Sequence, residues 1–400
     1  MYKIQSQQLN GKVVIPPSKS IAHRAIICAS LAQDSSYIYN VDYNDDIIAT
    51  INCMKELGTY IEEREDCLFI DGRTTFFRNY LNFDVNASGS TLRFLLPISL
   101  IYQSNVRVIG DARLSQRDMS PYYDIFTSQE LNFLYKKDVL EILVEGYLQP
   151  GEFKLPGNVS SQFISGLLFA CPLMRGDSKI VLTSPLESKN YVDLTLDMLE
   201  RFGIEIENHD YKEFVIKGNQ KYIAQNYTIE ADYSSASNYI VANALGANIE
   251  MDNLNPNSLQ GDQVIFDYIK NNEVIDVKDC PDIAPILALY CALTTGEHKI
   301  THCERLKIKE CDRLHVTVEV LSKLGANIRC DNDTMYITGV DHLISNTVSS
   351  HNDHRIAMMI AIASIYCDDL IIIDNIECVK KSYPNFFEDF KKLGGEVYEC

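Results

Sequence analysis

Apolar residues at 314, 318, 321 and 324 recur at helical spacing, and Gly325 stands where a helix C-cap sits. A β-like run at Asn327 to Arg329, a polar turn at Asp331-Asn332-Asp333, a second run at Met335 to Ile337 and Gly339 follow. The same order appears twice more. Met54-Lys55-Glu56-Leu57-Gly58 leads to runs at 59–62 and 67–70 and then Gly72. Leu199-Glu200-Arg201-Phe202-Gly203 leads to Ile204 to Glu207, a turn at Asn208-His209-Asp210, Phe214-Val215-Ile216 and Gly218. A blurred copy spans Leu131 to Gly146, and Leu393-Gly394-Gly395-Glu396-Val397 resembles a truncated one. Each copy predicts a helix, a glycine cap and a hairpin. Such a unit cannot bury its own apolar face, so it must stack with others in a repeated α/β architecture.

The polar residues with chemistry cluster where helices should begin. Pro16-Pro17-Ser18-Lys19-Ser20 opens a helix carrying Ala22, Ala25, Ile26 and Ala29, with Ser18 as the expected N-cap and Arg24 on the face of Ser20. Ser88-Gly89-Ser90-Thr91-Leu92-Arg93 precedes Phe94-Leu95-Leu96, and Gly157-Asn158-Val159-Ser160-Ser161-Gln162 precedes Phe163 to Ala170. Asn352-Asp353-His354-Arg355 precedes Ile356 to Ile365, and Lys309-Glu310-Cys311-Asp312-Arg313 precedes the helix at 314–324. Helix N-termini favour anions. One such stretch is explained by capping; five, three of them with Arg or Lys in the first turn, are not. Asp282, between Pro281 and Pro285 at the head of an apolar helix at 286–293, is a rigidly held carboxylate. Asp45-Asp46 reads as an N-cap with a second favourable charge, and His302, His342 and His351 as surface residues.

Composition narrows the class. Four hundred residues suggest two or three domains, and 46% hydrophobic with 23% charged residues fits a globular protein. The net charge of −19 argues against nucleic acid, although local Arg and Lys can still hold an acidic ligand. The longest apolar run, Ile356 to Cys367, is too short for a bilayer, and Met1 to Ser20 lacks a signal-peptide core. The twelve cysteines have no zinc spacing, so reduced thiols, no metal and a cytoplasmic location are expected.

Taken together, Pro17-Ser18-Lys19-Ser20 with Arg24, Ser88 to Arg93, Arg113 with Arg117, Ser160-Ser161-Gln162-Phe163 and Ser188-Lys189-Asn190-Tyr191 resemble the motifs of one family. Pro281-Asp282-Ile283-Ala284, Lys309 to Arg313, Asp353-His354-Arg355 with Ala357-Met358, and Lys381-Ser382-Tyr383-Pro384 belong to the same set. The family is 3-phosphoshikimate 1-carboxyvinyltransferase, or EPSP synthase. The resemblance implies an inside-out α/β fold of two similar domains, each of three βαβαββ units, at residues 14–229 and at 1–13 with 230–400. It also implies that helix N-termini of both domains face a cleft that closes on substrate.

The reaction implied moves the enolpyruvyl group of phosphoenolpyruvate to the 5-hydroxyl of shikimate 3-phosphate by addition and elimination, with no cofactor. The two substrates bring roughly six negative charges, which explains a need for many cations. The resemblance places Lys19, Ser20, Arg24, Ser160, Ser161, Ser188, Asp282 and Lys309 around shikimate 3-phosphate. It places Lys19, Gly89, Arg117, Gln162, Glu310, Arg313, His354, Arg355 and Lys381 around phosphoenolpyruvate. Asp282 is the implied acceptor of the hydroxyl proton, and Glu310, with Lys19 or Lys381, the group that protonates the methylene carbon. A monomer acting on small molecules is expected, with glyphosate as the family's inhibitor.

Ala87, Asp118, Arg305 and Lys307 depart from residues frequent in the family, which bears on affinity and inhibitor response rather than on the reaction. Two rival readings are a UDP-N-acetylglucosamine enolpyruvyl transferase and a non-catalytic anion-binding relative. The absence of Cys between 110 and 120, and the Ser160 and Ser188 motifs, favour the shikimate substrate.

Overall fold

Gly58, Gly203 and Gly325 have positive φ, at 110°, 79° and 86°, a backbone region open to glycine at little cost. Each follows a helix (Asp45–Glu56, Lys189–Arg201 and Arg313–Lys323) and turns the chain into an antiparallel hairpin. The computed structural model describes residues 1–5, 8–76, 80–102, 105–136 and 139–399. The hairpins are Tyr60–Glu63 with Cys67–Asp71, Ile206–His209 with Glu213–Ile216, and Asn327–Asp331 with Thr334–Thr338. His209 is still in its strand. The chain reverses instead at Asp210 and Tyr211, with φ of 52° and 55°, the paired left-handed residues that suit strand twist. The blurred copy is also real. Glu130, at φ 57°, takes the glycine's place between the helix Ser120–Ser128 and the hairpin Asn132–Lys136 with Leu140–Glu145.

Every hairpin is extended by a strand lying antiparallel to its second arm and then by a parallel one. In one sheet Glu152–Leu155 runs parallel to Ser178–Leu182, which pairs antiparallel with Glu213–Ile216. Five such four-stranded sheets and one two-stranded sheet occur among the described residues. Three sheets are completed by distant strands, one of them by Tyr227–Thr228, which runs parallel to Ser35–Tyr39. Glu396–Glu399, after Gly394, pairs with Tyr2–Gln5, and Asn248–Glu250 runs parallel to Asn10–Lys12.

The chain divides into two compact units, Pro17–Glu230 and Met1–Pro16 with Ala231–Cys400. Each has its own apolar core. In the first, the helices Lys19–Leu31, Gly89–Ser99 and Ser161–Ala170 are buried nearly all round. In the second the same holds for Tyr233–Ala244, Ala284–Ala292 and His354–Ala363, which pack on one another. A helix apolar on every side has to sit inside. The strands alternate buried and exposed residues, as in Leu81–Asp84, and so cover helices with one face. The α/β fold of repeated units is thus built with its helices inward. No helix of the described residues is long and apolar enough to cross a membrane.

Close helix contact depends on glycine at one position. A Cβ on Gly166 would lie 2.2 Å from the Arg93 carbonyl oxygen and 2.2 Å from the Tyr122 hydroxyl. Gly166→Ala should therefore push apart the helices Gly89–Ser99 and Ser161–Ala170, costing about 1–3 kcal/mol. Equal denaturant midpoints for parent and variant would contradict this packing.

Candidate active site

Several of the residues singled out in the sequence lie at the beginnings of the buried helices. Lys309 to Arg313 lead into Arg313–Lys323 and Ser188 precedes Lys189–Arg201, while Arg117 and Lys381 lie outside the helix starts. Lys19 is the first residue of Lys19–Leu31. Ser18 occupies the cap position but its hydroxyl makes no cap bond and has no partner among the described residues. Lys19 Nζ instead donates to Asp46 Oδ2 at 2.8 Å, where the Asp46 side chain is only 8% exposed. Asp45 and Asp46 both stand in the first turn of Asp45–Glu56, the favourable charge read from the sequence, but neither is its cap. Asn44 caps Asp45–Glu56 by accepting from the Ile47 amide.

Arg24 is buried, and each of its three nitrogens has a partner. It donates to Thr195 Oγ1 at 2.9 Å and to the carbonyls of Ser20 and Tyr191 at 2.7 Å each, with its guanidinium 5.2 Å from the Phe94 ring. Burial lowers its pKa to about 10, so the cation persists at neutral pH and fastens the helix Lys189–Arg201 to Lys19–Leu31.

Gly89, Arg117 and Gln162 come together, joined by Arg93. A Cβ on Gly89 would meet Arg117 Nη1 at 3.0 Å, Arg93 Nη1 at 3.1 Å and Gln162 Oε1 at 3.5 Å. Arg93 Nη1 donates to Gln162 Oε1 at 2.8 Å, and Gln162 Nε2 donates to Ser90 Oγ at 2.9 Å. Ser160 caps its helix by accepting from the Gln162 amide, and Ser161 is buried at the first turn. Ser188 is buried in the left-handed region, at φ 54° and ψ 45°. That conformation costs a non-glycine residue about 1–3 kcal/mol and persists where position matters more than stability.

The second unit holds a denser cluster. The Arg313 side chain is 1% exposed and meets three carboxylates. Nη1 donates to Asp282 Oδ1 at 2.9 Å, Nη2 to Glu310 Oε2 at 2.6 Å, and Nε to Asp353 Oδ2 at 2.9 Å. Lys309 Nζ also reaches Asp282 Oδ1, at 3.1 Å, and Lys381 Nζ lies 3.5 Å from Glu310 Oε1. Asp353, wholly buried, also caps His354–Ala363 by accepting from the Arg355 amide. His354 is buried beside it, with Nδ1 3.9 Å from Asp353 Oδ1.

Burial opposes ionisation of Asp282, yet Lys309, Arg313 and Arg355 hold its carboxyl well below the usual range. Burial also opposes charge on Arg313, but Asp353, Glu310 and Asp282 keep it firmly protonated. Lys309 is lowered, first by burial, against the pull of Asp282. Arg355 differs from Arg313. It too is buried, but Nε and Nη1 have no partner among the described residues. A buried guanidinium with unmet donors is suited to an anion. No group of His, Cys, Asp and Glu among the described residues could hold a metal ion.

The sequence pointed to these stretches through their capping patterns, but missed Asp46 as a partner of Lys19 and Arg93 as the link between Gly89 and Gln162. It could not separate the saturated Arg24 and Arg313 from the open Arg355.

The family model for EPSP synthase (3-phosphoshikimate 1-carboxyvinyltransferase) matches residues 4–272 and 263–390. A 3-phosphoshikimate 1-carboxyvinyltransferase of Clostridium perfringens strain 13 is 49% identical over a 418-residue alignment covering 99% of either chain. One of Clostridioides difficile strain 630 is 46% identical, covering 99% of this chain and 98% of the relative. The structure of an EPSP synthase from Acinetobacter baumannii superposes with a TM-score of 0.82 over 100% of this chain and 99% of that one, at 22% identity.

Lys19 offers a direct test of the first cluster. Lys19→Ala leaves Asp46 buried without its cation, so it should cost about 1–3 kcal/mol, more than an exposed lysine would. Adding Asp46→Asn should restore most of that stability and none of the lost activity. A single variant as stable as the parent would show that the pair contributes nothing to folding.

Proposed function

The chain belongs to the EPSP synthase family, and from that premise we propose how its residues carry out the family's reaction. The enolpyruvyl group of phosphoenolpyruvate is transferred to the 5-hydroxyl of shikimate 3-phosphate, giving 5-enolpyruvylshikimate 3-phosphate and phosphate. The hydroxyl oxygen adds to C2 of phosphoenolpyruvate while the methylene carbon gains a proton, forming a tetrahedral ketal phosphate. Loss of that proton and of phosphate restores the double bond on the new ether.

Asp282 is assigned as acceptor of the hydroxyl proton. With three cations depressing it, the free carboxylate is a weak base, and anions bound to Lys309 and Arg355 would raise its basicity. Glu310, between Arg313 and Lys381, is assigned to the methylene proton, assisted by Lys19 or Lys381. Lys19, Arg117, Lys309, Arg355 and Lys381 are the assigned anion holders, with His354 beside Arg355. Ser20, Ser160, Ser161, Ser188 and Gln162 supply neutral hydrogen bonds, and Gly89 leaves room for the anion to approach. Arg24 and Arg313 serve as scaffold, because their donors are already committed. The observation that carries the assignment is the contrast between saturated Arg313 and open Arg355 around the same carboxylates. We further place the protein in the cytoplasm, the reading its scattered cysteines favour, and as a monomer acting on small molecules.

Phosphate release measured with phosphoenolpyruvate and each acceptor tests the reaction. Phosphate should appear with shikimate 3-phosphate and not with UDP-N-acetylglucosamine. Equal release with the nucleotide sugar would move the assignment to the other transferase, and no release with either would leave only anion binding.

A further inference from the structure

Three helix beginnings of the unit Pro17–Glu230, those carrying Ser20, Ser161 and Ser188, are assigned to the same substrate, shikimate 3-phosphate. Groups that hydrogen-bond one ligand have to be held in place to about 0.5 Å, so the three helices must be fixed relative to one another. One buried hydroxyl connects all of them. Thr195 stands in the middle of Lys189–Arg201 and is wholly buried.

The hydroxyl has three neighbours, and counting protons fixes their roles. Thr195 Oγ1 donates to the Tyr191 carbonyl, one turn earlier, at 3.0 Å. It accepts from Arg24 Nε at 2.9 Å. Ser165 Oγ lies 2.7 Å away, and because the single Thr195 proton is given to Tyr191, Ser165 is the donor there. A hydroxyl has one proton and two lone pairs, and here all are used. A threonine that only satisfied itself would stop at the carbonyl four residues back. The two further bonds come from other helices.

Each neighbour leads within about one helical turn to an assigned substrate group. Arg24 Nη1 donates to the Ser20 carbonyl at 2.7 Å. Ser165 follows Ser161 by one turn, on the same face of Ser161–Ala170. The Tyr191 carbonyl also accepts from Arg24 Nη2 at 2.7 Å, and the Tyr191 amide donates to the Ser188 carbonyl at 3.1 Å. That short turn contains Ser188 in its left-handed conformation.

We propose that Thr195 is a positioning residue for shikimate 3-phosphate, its hydroxyl fixing the helix starts of Ser20, Ser161 and Ser188 relative to one another without touching the substrate. This rests on the assignment of those serines to that substrate. A methyl group in place of the hydroxyl leaves Arg24 Nε and Ser165 Oγ buried without their partner, so both helices must shift to find others.

Thr195→Val, which keeps the shape and removes the hydroxyl, is the test, and Thr195→Ser is the variant that keeps it. The dissociation constant of shikimate 3-phosphate alone, measured by calorimetry well below the melting temperature, should rise about tenfold in Thr195→Val, the affinity equivalent of one ordinary hydrogen bond. In Thr195→Ser it should stay near the parent's. The KM for phosphoenolpyruvate at saturating shikimate 3-phosphate should move much less, and so should kcat. Thr59→Val gives the comparison for lost stability alone. Its buried hydroxyl bonds to Thr75 at 2.9 Å, so this variant should melt lower yet bind shikimate 3-phosphate as the parent does.

Unchanged affinity in Thr195→Val, an equal loss in Thr195→Ser, or as large a loss in Thr59→Val would overturn the inference. So would a KM for phosphoenolpyruvate that rises as far as the shikimate 3-phosphate constant. If Thr195→Val does not fold, Ser165→Ala carries the test. It removes one of the three bonds and should weaken shikimate 3-phosphate binding several-fold, and unchanged affinity would overturn the inference. A parent that binds no shikimate 3-phosphate would sink the proposed reaction and this inference with it. A parent that binds it no better than Thr195→Val would sink the inference alone.

Discussion

The Arg313 guanidinium, almost wholly out of water and shared by Asp282, Glu310 and Asp353, is the contact on which the second unit's chemistry depends. It links three pieces of chain far apart in sequence: the turn Pro281–Ile283, the loop before Arg313–Lys323, and the cap of His354–Ala363. Taking one cation and three carboxylates out of water is costly, and the attraction offsets that cost only with good geometry. Arg313 meets the condition with a hydrogen bond from each of its three nitrogens. Because those carboxylates are fixed, Lys309, Lys381 and Arg355 are drawn to defined places around them.

The first unit solves a similar problem with a different device. Arg24 ties two helices together through a hydroxyl and two backbone carbonyls, while Lys19 and Asp46 form a separate buried pair. Among the described residues no carboxylate contacts Arg24, so this cation is held by neutral groups and by the Phe94 ring. Within each unit, charged side chains lie at the N-terminus of an inward helix, as Lys19 does at Lys19–Leu31 and Arg355 at His354–Ala363, where the helix dipole favours anions.

Much of this was legible in the chain because the fold repeats a local signal. Glycine caps at 58, 203 and 325 announce a helix that ends and a hairpin that begins, and polar caps before apolar runs announce the buried helices. What failed to show was long-range. The strand Asn248–Glu250 finds its partner at Asn10–Lys12, 238 residues away, so no hairpin pattern marks it. Asp46 read as no more than a favourable first-turn charge because its partner, Lys19, lies 27 residues upstream. Nor can a motif say which arginine in a cluster is already satisfied.

The distinction between a saturated and an open arginine is also the claim most directly open to measurement. Arg313→Met and Arg355→Met remove the same charge from the same neighbourhood, and their unfolding free energies and phosphoenolpyruvate affinities can be compared side by side. Arg313→Met should lose about 3–5 kcal/mol of stability, the cost of breaking a buried ion-pair network. Arg355→Met should lose little stability and nearly all affinity for phosphoenolpyruvate. The account is contradicted if the two variants lose stability equally, or if Arg355→Met binds phosphoenolpyruvate as the parent does.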